Sequence, residues 1–306
     1  HSFPTRRSSD LVLALIQDRL GPNRVGPQGV LQAVADVLKL LAKEDVIPSA
    51  ADKWVYILAM FVVVVPSLLI YAVVPFARGM IIADLSIGVL FFIAVGSIGM
   101  IGILMAGWGS NNKYALLGSM RAAAQIVSYE IPLVFSVIGV VMLAGTLSTV
   151  QIVEFQGAWA GFKWNVIFQP IGFFVFFTAS LAELNRTPFD LLEAESEIIA
   201  GYNVEYSGVR FAMFFLAEYL SSFAMAAMAV TLFLGGWQGP ILPGWLWFIA
   251  KTYAVFFLFY WIRGTFPRVR SDQLLSFSWK VLLPLALLNV ALTGLGMAVY
   301  RSIWPA

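Results

Sequence analysis

Residues 54–77, WVYILAMFVVVVPSLLIYAVVPFA, run without a charge from Lys53 to Arg78. A helix crosses a hydrocarbon core of about 30 Å with about 20 mainly apolar residues, so this stretch already points away from a soluble fold. Working outward, similar runs occupy 85–108, 126–144, 164–184, 209–234, 245–262 and 281–300. Gly235-Gly236-Trp237-Gln238-Gly239-Pro240, with Pro243-Gly244, divides what would otherwise be one overlong segment. The expectation is an all-α polytopic membrane protein with seven complete transmembrane helices plus the remnant of an eighth at the N-terminus. Composition agrees. Hydrophobic residues make up 60% of the 306 and charged ones 12%, against about 25% charged in soluble proteins.

The composition also excludes function classes. Cysteine is absent and the only histidine is His1, which removes disulfides, thiolate or histidine metal sites, haem and iron–sulfur ligation by this chain. A net charge of +2, scattered along the sequence, is too small for a nucleic-acid protein. The chemistry left to it uses carboxylates, arginines and backbone, with no metal or resident cofactor expected.

Residues 1–10 read as a polar leader foreign to the rest, and 11–17 as what remains of a first transmembrane helix. Arg6-Arg7 before Leu11 faintly resembles a twin-arginine signal, but the apolar scrap 11–16 is shorter than the roughly 7–15 residues of a signal core. Residues 18–53 form a loop with an amphipathic helix, and 54–306 the bundle, interrupted by an acidic loop at 183–210. Alternating the loops puts thirteen basic residues on one side, among them Arg24, Lys53, Lys113, Arg121, Arg186, Arg210 and Arg268, and four (Arg78, Lys163, Lys251 and Arg301) on the other. By the positive-inside rule the first side faces the cytoplasm, or the matrix in an organelle. Val30, Leu31, Val34, Val37, Leu38 and Leu41 fall at helical spacing opposite Gln32, Asp36, Lys39 and Lys43; this segment is too short to span and is expected along the interface or docked on the bundle.

Acids stand where they are expensive. Glu130 lies inside one span, just before Pro132, and Glu218 inside another. A charge at membrane depth costs on the order of 3 kcal/mol even on the lenient insertion scale, which makes such a group functional by default. The loop adds Glu183, Asp190, Glu193, Glu195, Glu197 and Glu205. Thr187-Pro188-Phe189-Asp190 reads as a helix start, with Thr187 as cap and Asp190 closing a capping box, so Asp190 has a structural role as well as a functional one. A solvated acidic loop is the bland alternative; Phe189, Leu191, Leu192, Ile198 and Ile199, interleaved with the acids, argue for partial burial. Gly96, Gly99 and Gly102 are expected to permit close helix packing.

The strings QDRLGPNRVGPQG (17–29), RAAAQIVSYEIP (121–132), ELNRTPFDLLEAESEIIAGYNVEYSG (183–208) and RGTFPRVRSDQL (263–274) resemble, in this order, the family of the H subunit of bacterial NADH–quinone oxidoreductase, whose mitochondrial counterpart is NADH dehydrogenase subunit 1. The resemblance implies a heel subunit of respiratory complex I in the bacterial inner membrane, joined to peripheral-arm and membrane-arm subunits. It implies a chamber for ubiquinone or menaquinone, the substrate of the complex, with Arg24 and Arg268 near the quinone passage. Glu130, Glu183, Asp190, Glu193, Glu195, Glu197, Glu205 and Glu218 would carry the proton path, while electron transfer lies in partner subunits. Two alternatives stay open: the related heel subunit of a membrane-bound hydrogenase, and a proton-coupled secondary transporter with broken helices.

Overall fold

A computed structural model of the chain describes residues 14, 17–18, 21, 25–29, 31–157, 163–190, 201–240 and 242–303. Among them there is no β-strand, only an isolated bridge between Ala77 and Met80. The helices are α1 (Gln32–Ala42), α2 (Lys53–Leu69, prolonged by a 3-10 turn to Val73), α3 (Gly88–Gly109), α4 (Lys113–Ala144), α5 (Thr149–Phe155), α6 (Asn165–Phe168), α7 (Pro170–Glu183), α8 (Gly208–Phe233), α9 (Gly244–Thr265), α10 (Ser271–Phe277) and α11 (Leu283–Ile303). A π turn, Ser278–Leu282, joins the last two. Among the described residues six stretches are long and apolar enough to cross a membrane: Lys53–Val73, Gly88–Gly109, Lys113–Ala144, Gly208–Phe233, Gly244–Thr265 and Ser271–Tyr300. The chain is an all-α polytopic membrane protein.

Three spans differ from the sequence-based expectation. The run 126–144 is only the second part of α4, a 32-residue helix that starts at Lys113, where the Asn112 side chain accepts from the Tyr114 N–H at 2.9 Å. At 1.5 Å per residue it is about 48 Å long, so Lys113 and Arg121 ride on its first turns, and a count of uncharged residues cuts it short. Within it Pro132 cannot donate to the Ser128 carbonyl; the Ser278 hydroxyl does so at 2.5 Å, seating the π turn against α4. The run 164–184 is broken at Gln169 (φ −134°, ψ 59°), because Pro170 disfavours the helical conformation in the residue before it; α7 proper has 14 residues. The last span begins at Ser271 rather than 281, its charged Asp272 and Lys280 both exposed.

Alternate loops gather at two ends of the bundle, as the basic residues divide them. At one end the Asp52 N–H donates to Gly109 O at 3.0 Å and the Val269 N–H to Pro188 O at 3.0 Å. At the other, the Val89 N–H donates to Leu147 O at 3.0 Å and Thr149 Oγ1 to Val73 O at 2.9 Å. Helix α8 runs through the middle, with Ala224–Phe233 entirely buried. Helix α1 packs beside it in an inverted sense. Gln32, Asp36 and Leu40, at helical spacing, are buried, while Leu31, Val34, Val37, Leu38 and Leu41 are exposed. The polar edge meets protein and the apolar stripe turns away from it.

Candidate functional site

Three helices each bring one acid to the same place. Glu130 comes from the middle of α4, Glu183 from the end of α7 and Glu218 from α8, and all three line a cavity of about 110 Å³ together with Asn185 and Tyr202. Helices α2 and α3 supply its other wall through Ser67, Phe92, Gly96 and Gly99. That volume has room for several water molecules. Among the described residues no group of three potential metal ligands converges.

The glycines of α3 divide by role. A Cβ on Gly102 would stand 3.0 Å from the Val63 nitrogen and 3.1 Å from the Ala59 carbonyl oxygen, which is the close helix packing expected from the sequence. Gly99 faces open space, and a Cβ on Gly96 would lie 3.8 Å from Glu183 Oε1. These two keep the cavity clear instead of admitting a helix.

Each acid has its own surroundings. The Ser97 hydroxyl of α3 donates to Glu130 Oε1. Glu218 pairs with Arg186 at 3.1 Å, and the guanidinium lies over the rings of Tyr219 and Tyr260, 5.0 and 5.8 Å from their centroids. In the sequence Arg186 counts only as an orienting charge. Its position in the short turn after Glu183 is the available signal that it would be drawn inside. Asn185, Tyr202 and Ser97 carry no comparable signal.

Asp190 and Glu205 stand apart from the cavity. The expected helix start at Thr187–Asp190 is absent; residues 184–190 make turns, with the Phe189 N–H donating to Arg186 O at 2.8 Å. Tertiary partners decide this. Gln125 Nε2 of α4 donates to both Ala182 O and Phe189 O, at 2.7 and 2.8 Å, and Asp190 meets Arg268 at 3.5 Å. Asp190 thus has the Arg268 guanidinium for a partner. Glu205 accepts from the Asn112 side chain at 2.6 Å, and its carbonyl accepts from the Tyr56 hydroxyl at 2.8 Å. Next to it Tyr206 stacks on Tyr56, centroids 4.1 Å apart, and burial holds its hydroxyl above the ordinary tyrosine range. Arg24, Glu193, Glu195 and Glu197 lie outside the described residues.

The family model described as NADH dehydrogenase matches residues 10–294. The chain belongs to the NADH dehydrogenase family. It is 54% identical over 292 residues to the H subunit of NADH-quinone oxidoreductase from Dehalococcoides mccartyi (strain CBDB1), covering 95% of this chain and 81% of that one. It is likewise 54% identical over 288 residues to the H subunit from Geobacillus kaustophilus (strain HTA426), 92% of this chain and 85% of the relative. The H subunit from Bacillus cytotoxicus is 55% identical over 290 residues, 93% and 86% of the two chains. The matched region of this NADH dehydrogenase family member contains all three cavity carboxyls and the ion pairs Arg186–Glu218 and Arg268–Asp190.

Proposed function

We propose that this chain is the membrane subunit of a proton-translocating NADH–quinone oxidoreductase, in which quinone reduction is coupled to proton movement through Glu130, Glu183 and Glu218. The observation that carries this reading is the convergence of three carboxyls from three helices on one cavity, roomy enough for several waters, inside an apolar bundle. Carboxyls that share a cavity repel when ionised, so they hold and exchange protons as a group. Arg186 then serves as the counter-charge that a change of protonation would release or engage. The loop acids Asp190, Glu193, Glu195, Glu197 and Glu205 sense charge at a quinone chamber edged by Arg24 and Arg268. The coupling free energy passed along each link is about 1–3 kcal/mol.

The electron carriers and the remaining subunits of respiratory complex I are the partners this role needs, with ubiquinone or menaquinone as substrate. The chain lies in the bacterial inner membrane with its basic, loop-bearing end toward the cytoplasm, and the outward apolar stripe of α1 rests in the lipid interface. The transporter alternative calls for a broken helix at its coupling site. The break at Gln169 is at the other end of α7 from Glu183, which disfavours it. Glu183→Gln and Glu218→Gln in the assembled complex test the proposal. Both are expected to lower quinone-linked NADH oxidation and proton pumping by about tenfold or more, with NADH oxidation by an artificial acceptor unchanged. Undiminished quinone-linked turnover in both variants would overturn it.

A further inference from the structure

At the opposite end of α8 a buried cation has carbonyls, not carboxylates, for partners. Lys251, about two turns into α9, is 8% exposed. Its Nζ donates to Leu234 O at 2.7 Å, Gly236 O at 3.2 Å and Gln238 O at 2.7 Å. The rings of Trp164 and Trp247 flank it, with centroids at 5.0 and 5.6 Å. The chain can aim these three carbonyls at one point because Gly235 and Gly236 take φ of +75° and +51°, a region open to glycine and strained for other residues. Carbonyls at a helix C-terminus carry partial negative charge, and indole faces attract cations. An ammonium brings three N–H groups to three acceptors; a neutral amine brings two.

We infer that Lys251 is a positioning residue, a tethered ammonium in a cage of carbonyls and indoles that anchors the end of α8 and thereby sets where Glu218 stands against Arg186. The cage itself is a site for a primary ammonium, which the lysine side chain fills from within. Through Glu218 this rests on the function proposed above; the cage does not. Gln156 and Asn165 support the same anchor, donating to Thr231 O at 2.9 Å and Leu232 O at 2.8 Å. A fixed cation tolerates replacement by arginine, whereas a group that carries protons does not.

The test uses the purified, assembled complex with Lys251→Arg, Lys251→Met and Lys251→Ala. Lys251→Arg is expected to keep the unfolding temperature, the quinone-linked turnover and its pH profile between about pH 6 and 9. Lys251→Met and Lys251→Ala lower the unfolding temperature and reduce quinone-linked turnover about tenfold, with artificial-acceptor activity retained. Methylammonium and butylammonium raise both quantities in Lys251→Ala and neither in Lys251→Met, whose side chain still occupies the space. The inference is overturned if Lys251→Met behaves as the unsubstituted protein. It is also overturned if Lys251→Arg is as impaired as Lys251→Met, the pattern of a proton carrier, or if Lys251→Ala ignores both amines, which would mean that the cage does not hold an ammonium. Should the unsubstituted complex show no quinone-linked turnover, the functional proposal fails, and the thermal response of Lys251→Ala to amines still decides the cage.

Discussion

From Gly208 to Ser221, α8 alternates buried and part-exposed residues along a cavity; from Ser222 to Phe233 nearly every residue is buried. The far half is built of Ala224, Ala226, Ala227 and Ala229 among larger apolar residues, and neighbours close around it on all sides. The carbonyls of Thr231, Leu232 and Leu234 at its end accept from the side chains of Gln156, Asn165 and Lys251 in turn. The near half carries Glu218, which pairs with a long arginine side chain and has space beside it. Polar groups in an apolar bundle thus meet two different fates on one helix. Where buried side chains answer the helix carbonyls, moving the helix leaves groups unpaired and is expensive. Where water has room, a side chain can exchange one partner for another at little cost.

Substitutions can break or sharpen this contrast. The largest effect is expected from Arg186→Met, which strands Glu218 in the bundle. It should destabilise the protein by about 3 kcal/mol, and Arg186→Met combined with Glu218→Gln should recover part of that loss in thermal unfolding. A double variant no better than the single one would mean that Arg186 acts through its tyrosine contacts. Next comes Gln156→Leu at the far end. Gln156 is fully buried and also accepts from the Asn165 and Gly235 N–H groups at 3.1 and 3.0 Å. Its loss should cost about 2 kcal/mol and lower the unfolding temperature, with turnover per assembled complex falling less than in Lys251→Met. A fall in turnover without a fall in stability would erase the distinction between anchor and working half.

The smallest effects separate two glycines of one helix. Gly102→Ala drives a methyl into α2 and should cost about 1–2 kcal/mol. Gly99→Ala meets nothing within 4 Å and should change stability by less than about 0.5 kcal/mol, registering only as a modest change in quinone-linked turnover. Equal destabilisation by the two would show that α3 packs tightly along its whole length.

Hydropathy makes the membrane bundle readable from the residues alone, because lipid demands long apolar runs whatever the fold around them. Glu130 and Glu218 are readable for the same reason: a carboxyl at depth is visible against its apolar neighbours, whereas Glu183 reads as the first acid of the loop. The start of α4 is not, since Lys113 and Arg121 extend beyond the apolar zone on a helix that a charge count begins too late. Nor is the turn at 184–190, where capping chemistry in Thr187-Pro188-Phe189-Asp190 competes with Gln125 and with Arg268–Val269, all of them distant in sequence.

The sequence by itself determined that this chain is a helical membrane protein, which end of the bundle is basic, and which acids sit where charge is costly. Those facts follow from composition and order, to which the solvent responds directly. Only the tertiary structure decided that Glu130, Glu183 and Glu218 face one cavity while Asp190 and Glu205 do not, that Arg186 goes to Glu218, and that Lys251 closes the far end of α8. Ion pairs and hydrogen bonds act over a few ångströms, and which groups come that close depends on how the helices pack.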